Sequence, residues 1–163
     1  MYTELPPATS LSLERILSGG QTGVDRAALD WAIANGIEHG GWCPQGRRAE
    51  DGRIAEQYHL KETPESKYAQ RTEWNVRDAD GTLLISLHPK LQGGTKQTLE
   101  FARRWKKPYL RVSRTVPLAI NVAALRTFLH EHAISALNIA GPRESEEAGV
   151  GEFVRELLDA ASA

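Results

Sequence analysis

The sequence predicts an α/β protein, a Rossmann-like three-layer α/β/α domain on a mostly parallel sheet of five to six strands. Three observations carry that prediction. Short apolar runs alternate with amphipathic segments along the whole chain. The run TLLISL at 82–87 is apolar on both faces, as a central strand covered on both sides must be. Glycine-rich turns follow strands and open helices, which is where doubly wound sheets hold their ligands.

The elements follow in order. Residues 1–12 read as a loosely ordered lead-in and 13–163 as a single Rossmann-like domain. Ile16 and Leu17 form a first strand. Ala27, Ala28, Leu29, Trp31, Ala32 and Ile33 form the apolar face of the helix after it. Gly41-Trp42-Cys43 reads as a short second strand stopped by Pro44. An irregular polar stretch follows, in which Leu60-Lys61-Glu62 is a brief edge strand. A helix spans Ser66 to Arg77 and packs Tyr68, Ala69 and Trp74. After the central strand, Gly93-Gly94 breaks the chain before a helix through Leu99, Phe101, Ala102 and Trp105. Pro108 starts a strand at Tyr109 to Val112. A helix from Asn121 to His132, a strand from Ala136 to Ala140 and a last helix ending near Leu158 complete the domain.

Bulk properties narrow the functions. The 163 residues are 40% hydrophobic and 25% charged, ordinary for a globular domain. A formal net charge of −1 argues against nucleic-acid or anionic-membrane partners and leaves room for a small anion at a local site. Cys43 is the one cysteine, so no intrachain disulfide forms, which suits a reducing, cytoplasmic location. The opening MYTELPPATSLSLE has neither the basic region nor the apolar run of a signal peptide, and no segment is long and apolar enough to span a bilayer.

The first loop, Ser18-Gly19-Gly20-Gln21-Thr22-Gly23, is uncharged and offers mainly backbone N–H groups. Two of the three glycines of G-x-G-x-x-G are in place, with Ser18 at the first. Thr22 is placed to cap the helix, with Asp25 completing a capping-box-like pair. The loop suits a phosphate or other anion at a helix start; a tight turn needing glycine for packing is the alternative. No Lys-Ser/Thr follows, so it is not a P-loop. The second strand ends in Cys43-Pro44 rather than an acid, which argues against NAD. Arg47 and Arg48 could reach a phosphate or stand solvated. The second loop, Gln92-Gly93-Gly94-Thr95, also follows a strand and opens a helix, so two such turns on neighbouring strands would face one crevice. Arg71, Asn75 and Asp78 share a helical face at i, i+4, i+7, and this aims Arg71, with Asn75, at the same crevice. Arg143 follows a strand as a third anion contact, with Ser145 as a helix cap. Cys43 reads as apolar filler. Neither His88 nor the pair His130 and His132 makes a metal site. Trp42 is placed to flank a ring.

The segment RTEWNVRDADGTLLISLHPKLQGGTKQTLE resembles the lysine-decarboxylase-like nucleotide phosphoribohydrolases of the LOG type. Arg71 stands at the spacing of their arginine, Asp80 at their aspartate, Gly93-Gly94 at their double glycine and Glu100 at their glutamate. The resemblance implies that Glu100 and Arg71 would be catalytic at the ribose–base bond. Thr72, Asn75, Gln92 and Lys96-Gln97 depart from that pattern. A fuller resemblance, over nearly the whole chain, is to the molybdenum cofactor carrier family of the same superfamily. It rests on SGGQTGVDRAALD, GGWCPQGRRAEDG, YAQRTEWNVRDADGTLL and GGT followed by Glu100. It implies a Rossmann-like sheet holding molybdenum cofactor, or a related phosphorylated pterin or nucleotide, in a homo-oligomer of two or more chains. The expected function is therefore a small-molecule binding or carrier protein, with nucleoside-monophosphate hydrolysis as the alternative. The expected ligand contacts are Ser18, Gly19, Gly20, Gln21, Thr22, Gly23, Arg47, Arg71, Asn75, Gly93, Gly94, Thr95 and Arg143.

Overall fold

A computed structural model describes residues 11–163. The expected lead-in lies outside these residues except for Leu11, which packs on the core, and the exposed Ser12. In chain order the elements are β1 (Arg15–Leu17), α1 (Val24–Ala34), β2 (Glu38–Gly40), β3 (Trp42–Cys43), β4 (Arg48–Ala49), β5 (Gly52–Arg53), β6 (Lys61–Glu62) and α2 (Tyr68–Asp78). They continue with β7 (Gly81–Ser86), α3 (Gly93–Arg104), β8 (Tyr109–Ser113), α4 (Leu118–Glu131), β9 (Ala136–Ala140) and α5 (Val150–Ser162).

Five strands form one all-parallel sheet in the order β2-β1-β9-β7-β8. Helices α1, α4 and α5 cover one face, where Val24, Ala28, Leu125, Val154 and Leu157 meet Ile16, Leu137 and Ile139 in the main core. Helices α2 and α3 pack together on the other face, over a smaller cluster of Val76, Phe101 and Ala102. Both layers are needed because β7 is buried at all six positions, and a strand with no solvent face must be apolar throughout.

The strand order positions the site. From β1 the chain steps to one edge through α1. From β7 it steps to the other edge through α3, on the opposite face. The two connections diverge, and a crevice opens at the carboxyl ends between them. The loops after β1 and β7 are not on neighbouring strands, as the sequence suggested. The last strand, β9, is inserted between them and supplies the crevice floor.

Other expectations are corrected. The second strand of the sheet is Glu38–Gly40. Gly41, at φ +124°, turns the chain away, so Trp42–Cys43 pairs with Lys61–Glu62 in a separate two-stranded ribbon. The irregular stretch contains an antiparallel hairpin, β4 with β5, over a satellite cluster of Leu29, Cys43, Ile54, Tyr58 and Leu60. Gly93-Gly94 does not precede α3 but forms its first turn. The segment after β9 runs as turns to Gly149, so neither Arg143 nor Ser145 lies at a helix start. Thr22 does not cap α1. The cap position is Gly23, with no side-chain cap.

Gly23 sits at φ +77°, and a Cβ there would lie 2.5 Å from the Pro142 carbonyl oxygen and 2.7 Å from the Glu144 nitrogen. Gly36, at φ +67°, has open space around it. Gly23→Ala is therefore expected to cost clearly more in urea denaturation than Gly36→Ala. The latter loses only the backbone preference, about 1–2 kcal/mol.

Candidate functional site

A cavity of about 250 Å³ opens at the carboxyl ends of β1 and β9, between α2 and α3. Pockets for drug-sized ligands start at roughly 300 Å³, so the volume suits one ring and one phosphate better than a dinucleotide. Helix α2 contributes Tyr68, Arg71, Thr72 and Asn75, the i, i+3, i+4, i+7 stripe of one face. Helix α3 contributes Gly94, Thr95, Gln97 and Thr98. The first loop and the start of α1 give Gly19, Gln21 and Asp25. Asn138, Ala140 and Gly141 form the floor, with Arg143 and Glu146 beyond it.

Arg71 is the centre of the arrangement. Its Nη1 donates to the Gly19 carbonyl at 2.7 Å and its Nε to Thr72 Oγ1 at 3.1 Å. Nη1 also lies 3.6 Å from Asp25 Oδ2. A Cβ on Gly19 would sit 2.2 Å from Nη1, so that glycine is required by the guanidinium above it. Nη2 has no protein partner among the described residues and is not fully buried, and Arg71 lines the cavity. The Tyr68 ring lies beside it, its centroid 5.3 Å from the Arg71 guanidinium and 4.7 Å from that of Arg48.

The first loop is not the cradle of free N–H groups that the sequence suggested. Gly20 N–H donates to Ser18 Oγ, Gln21 N–H to Asp25 Oδ2, Thr22 N–H to Gln21 Oε1 and Val24 N–H to the Pro142 carbonyl. Neighbouring side chains and the Pro142 carbonyl take up most of the loop's donors, leaving the Gly19 and Gly23 N–H groups without an acceptor among the described residues, and the glycines serve close packing. Of this loop only Gly19 and Gln21 line the cavity; Ser18, Gly20, Thr22 and Gly23 do not. The second loop fits the expectation better. Gly94 has open space beside it and lines the cavity with Thr95, and the first turn of α3 faces inward. Gly93, at φ +52°, sets the chain direction just outside.

Arg47 is turned away from the cavity. Its side chain is buried, and its Nε, Nη1 and Nη2 donate to the carbonyls of Ile54, Leu60, Ala55 and Tyr58. A guanidinium so committed holds the loop together and has little left for a phosphate. Asn75 lines the cavity, but its carboxamide is closed on the Trp42 backbone, accepting from N–H at 2.7 Å and donating to the carbonyl at 3.0 Å. Asp78 falls off the stripe, accepting from the Trp42 indole N–H at 2.7 Å. Trp42 packs edge-on against Trp74, away from the cavity. Arg143 is at the cavity, paired with Glu146 at 3.0 Å. Glu100 is exposed and outside it; six residues beyond Gly94 is about 240° round a helix, which faces it to solvent.

The hairpin acts as a strut. Glu50 accepts hydrogen bonds from the hydroxyls of Thr22 and Ser145, which hold its carboxyl below the usual range. Its N–H donates to Gln21 Oε1 at 2.8 Å. Asp51 pairs with Arg26 through both carboxylate oxygens. The loops after β1 and β9 are thereby tied together at the cavity wall. Cys43 is fully buried, and burial pushes its thiol up. Among the described residues no group of three or more His, Cys, Asp or Glu could hold a metal ion, and no helix is long and apolar enough to cross a membrane.

Asp25, Tyr68 and Asn138 are among the cavity residues that had no functional reading in the sequence. The signals were an acid just inside a helix that follows glycines, an aromatic three residues before Arg71, and one polar residue in the apolar run ALNIA. Burial pushes the Asp25 carboxyl up from 3.8 to about 6, against the opposing pull of Arg71, the Gln21 N–H and Arg26.

Comparison with known proteins places this geometry. The model of a family described as circularly permutated YpsA SLOG matches residues 16–162. A crystal structure from Syntrophus aciditrophicus, named "putative molybdenum carrier protein", is 44% identical with a TM-score of 0.91, over 93% of this chain and 96% of that one. No curated protein matches the chain.

The raised Asp25 carboxyl makes a pH prediction. Between 3.8 and about 6 the folded chain keeps a proton that the unfolded chain releases. This group's penalty against folding therefore grows as pH rises through that window and is complete above it. Urea denaturation across the window should show the native chain losing up to roughly 3 kcal/mol relative to Asp25→Asn.

Proposed function

The chain belongs to the circularly permutated YpsA SLOG family, and from that premise we propose that its cavity binds a phosphorylated small molecule of the pterin or nucleotide class. Molybdenum cofactor, a pterin with a phosphate tail, belongs to that class. The single observation that carries the reading is the Arg71 guanidinium: buried, held in place by Gly19 and Thr72, and left with one unpaired nitrogen where the residue lines the cavity. A fixed guanidinium is a strong anion donor because its orientation is set before the ligand arrives. The first turn of α3, with Gly94 and the buried Thr95 facing the same space, supplies a second anion-binding element. The phosphate would lie at that helix start, with Arg71 donating to an oxygen at the other end of the ligand.

The carrier named in the related crystal structure supports the pterin end of this class. Charge balance supports binding of modest strength. Asp25 and Glu146 face the cavity beside Arg71 and Arg143, so an anion must compete with internal carboxylates. A molybdenum-bearing ligand fits this site through its phosphate and ring, since its metal is held by sulfur atoms of its own. Arg71 would hold an oxygen of the ligand, the start of α3 would hold the phosphate, Tyr68 would flank the ring, and the β9 floor would limit depth. Hydrolysis through Glu100 finds no support, because that carboxylate faces solvent on the far side of α3.

Isothermal titration with GMP and with a phosphorylated neopterin tests the proposal. Both should bind. Arg71→Ala should weaken binding by at least about tenfold, the worth of a charged hydrogen bond. Thr95→Val, which keeps the shape and removes a hydroxyl, should weaken it several-fold, and Glu100→Gln should leave it unchanged. Absence of binding by both ligands, or full binding by Arg71→Ala, would overturn the reading.

A further inference from the structure

We infer that the cavity floor reads the 2-amino-4-oxopyrimidine edge shared by pterins and guanine, with Asp25 and Asn138 as acceptors and Arg71 as donor. The inference rests on the proposed function and goes further, to the kind of ring selected.

Asp25 is 6% exposed and Asn138 2% exposed, both at the cavity. Asp25 Oδ2 is occupied by the Gln21 N–H at 3.3 Å and stands 3.6 Å from Arg71 Nη1. Its Oδ1 receives no hydrogen bond from the described residues. Asn138 donates through Nδ2 to Thr82 Oγ1 at 3.2 Å, and its Oδ1 likewise receives none. Two acceptors without donors thus share the cavity lining with one donor, Arg71 Nη2, that has no acceptor. Every fully buried side-chain nitrogen or oxygen among the described residues has a partner, so these three unpaired atoms keep some open surface, and their residues line the cavity.

The missing partner must offer donors to Asp25 and Asn138 and an acceptor to Arg71. A phosphate cannot lie at the floor, because it brings only acceptors to a carboxylate. Pterin and guanine carry a 2-amino group, a ring N–H and a carbonyl in sequence, two donors followed by one acceptor. Adenine pairs its single amino group with a bare ring nitrogen and has no carbonyl. The half-buried Tyr68 in the wall gives the ring a flat surface to stack on. With the ring at the floor, the phosphate extends toward Gly94 and Thr95 at the start of α3.

Protonation of Asp25 should then weaken binding. Its carboxyl sits at about 6 in the free protein. The charged groups around it are Arg71 from α2 and Arg26 on its own helix, with Arg143 and Glu146 across the cavity.

The test is isothermal titration of the full chain with GMP, IMP, AMP and a phosphorylated neopterin at pH 7.5, repeated with GMP at pH 5. IMP differs from GMP only by the 2-amino group, so this comparison needs no variant. GMP and the neopterin should bind at least about tenfold tighter than AMP, and IMP should lose most of that advantage. GMP binding should weaken at pH 5. Asp25→Asn should erase the preference of GMP over AMP while its circular dichroism stays native. AMP binding as tightly as GMP, or IMP matching GMP, would overturn the ring assignment and leave the proposed binding function standing. Binding by none of the four would overturn both.

Discussion

The contact on which this site depends is the bond from Arg71 to the Gly19 carbonyl, made beside the Asp25 carboxylate. It joins α2, on one face of the sheet, to the loop that leads into α1 on the other. A buried guanidinium must satisfy its donors or pay heavily in lost hydration, and here a loop carbonyl, a threonine hydroxyl and an acid do so. One nitrogen is left over at the cavity. The same residue thus helps close the crevice and leaves one donor at its lining.

The glycines around it follow from that closeness. Gly19 leaves room for the guanidinium, and Gly23 lets the loop after β1 pass against the loop after β9. The nearby motif Gly46-Arg47-Arg48-Ala49-Glu50-Asp51 works in support. Arg47 gathers four carbonyls of its own loop, Glu50 ties Thr22 to Ser145, and Asp51 holds Arg26. Residues that look in sequence like phosphate contacts are therefore walls and ties. This is common where a site must be held rigid by packed neighbours before it can bind anything selectively.

The cavity is polar without being strongly positive, and this distinguishes it from a site built for a highly charged anion. One end offers the start of a helix and a hydroxyl. The other end offers the unpaired oxygens of Asp25 and Asn138. A molecule with a phosphate at one end and a donor-rich ring at the other matches both halves. Simple inorganic anions match only one.

How much of this was legible in the sequence divides along a physical line. Periodicity and glycine placement determined the α/β class, the parallel sheet, the central strand and the turns to inspect, because buried strands and helix starts impose local patterns. Arg71, Thr95 and Gly94 were also legible, each tied to a helix whose direction the pattern gives. Tertiary structure alone decided the insertion of β9 between β1 and β7. Strand order depends on where long connections cross, and no local pattern records that. It also decided that Arg47 points inward, that most of the first loop's N–H groups are bound, and that Glu100 faces solvent. Spacing along the chain fixes which residues are candidates, while the choice between ligand contact and internal tie is made by whichever carbonyls and carboxylates the fold brings within hydrogen-bonding reach.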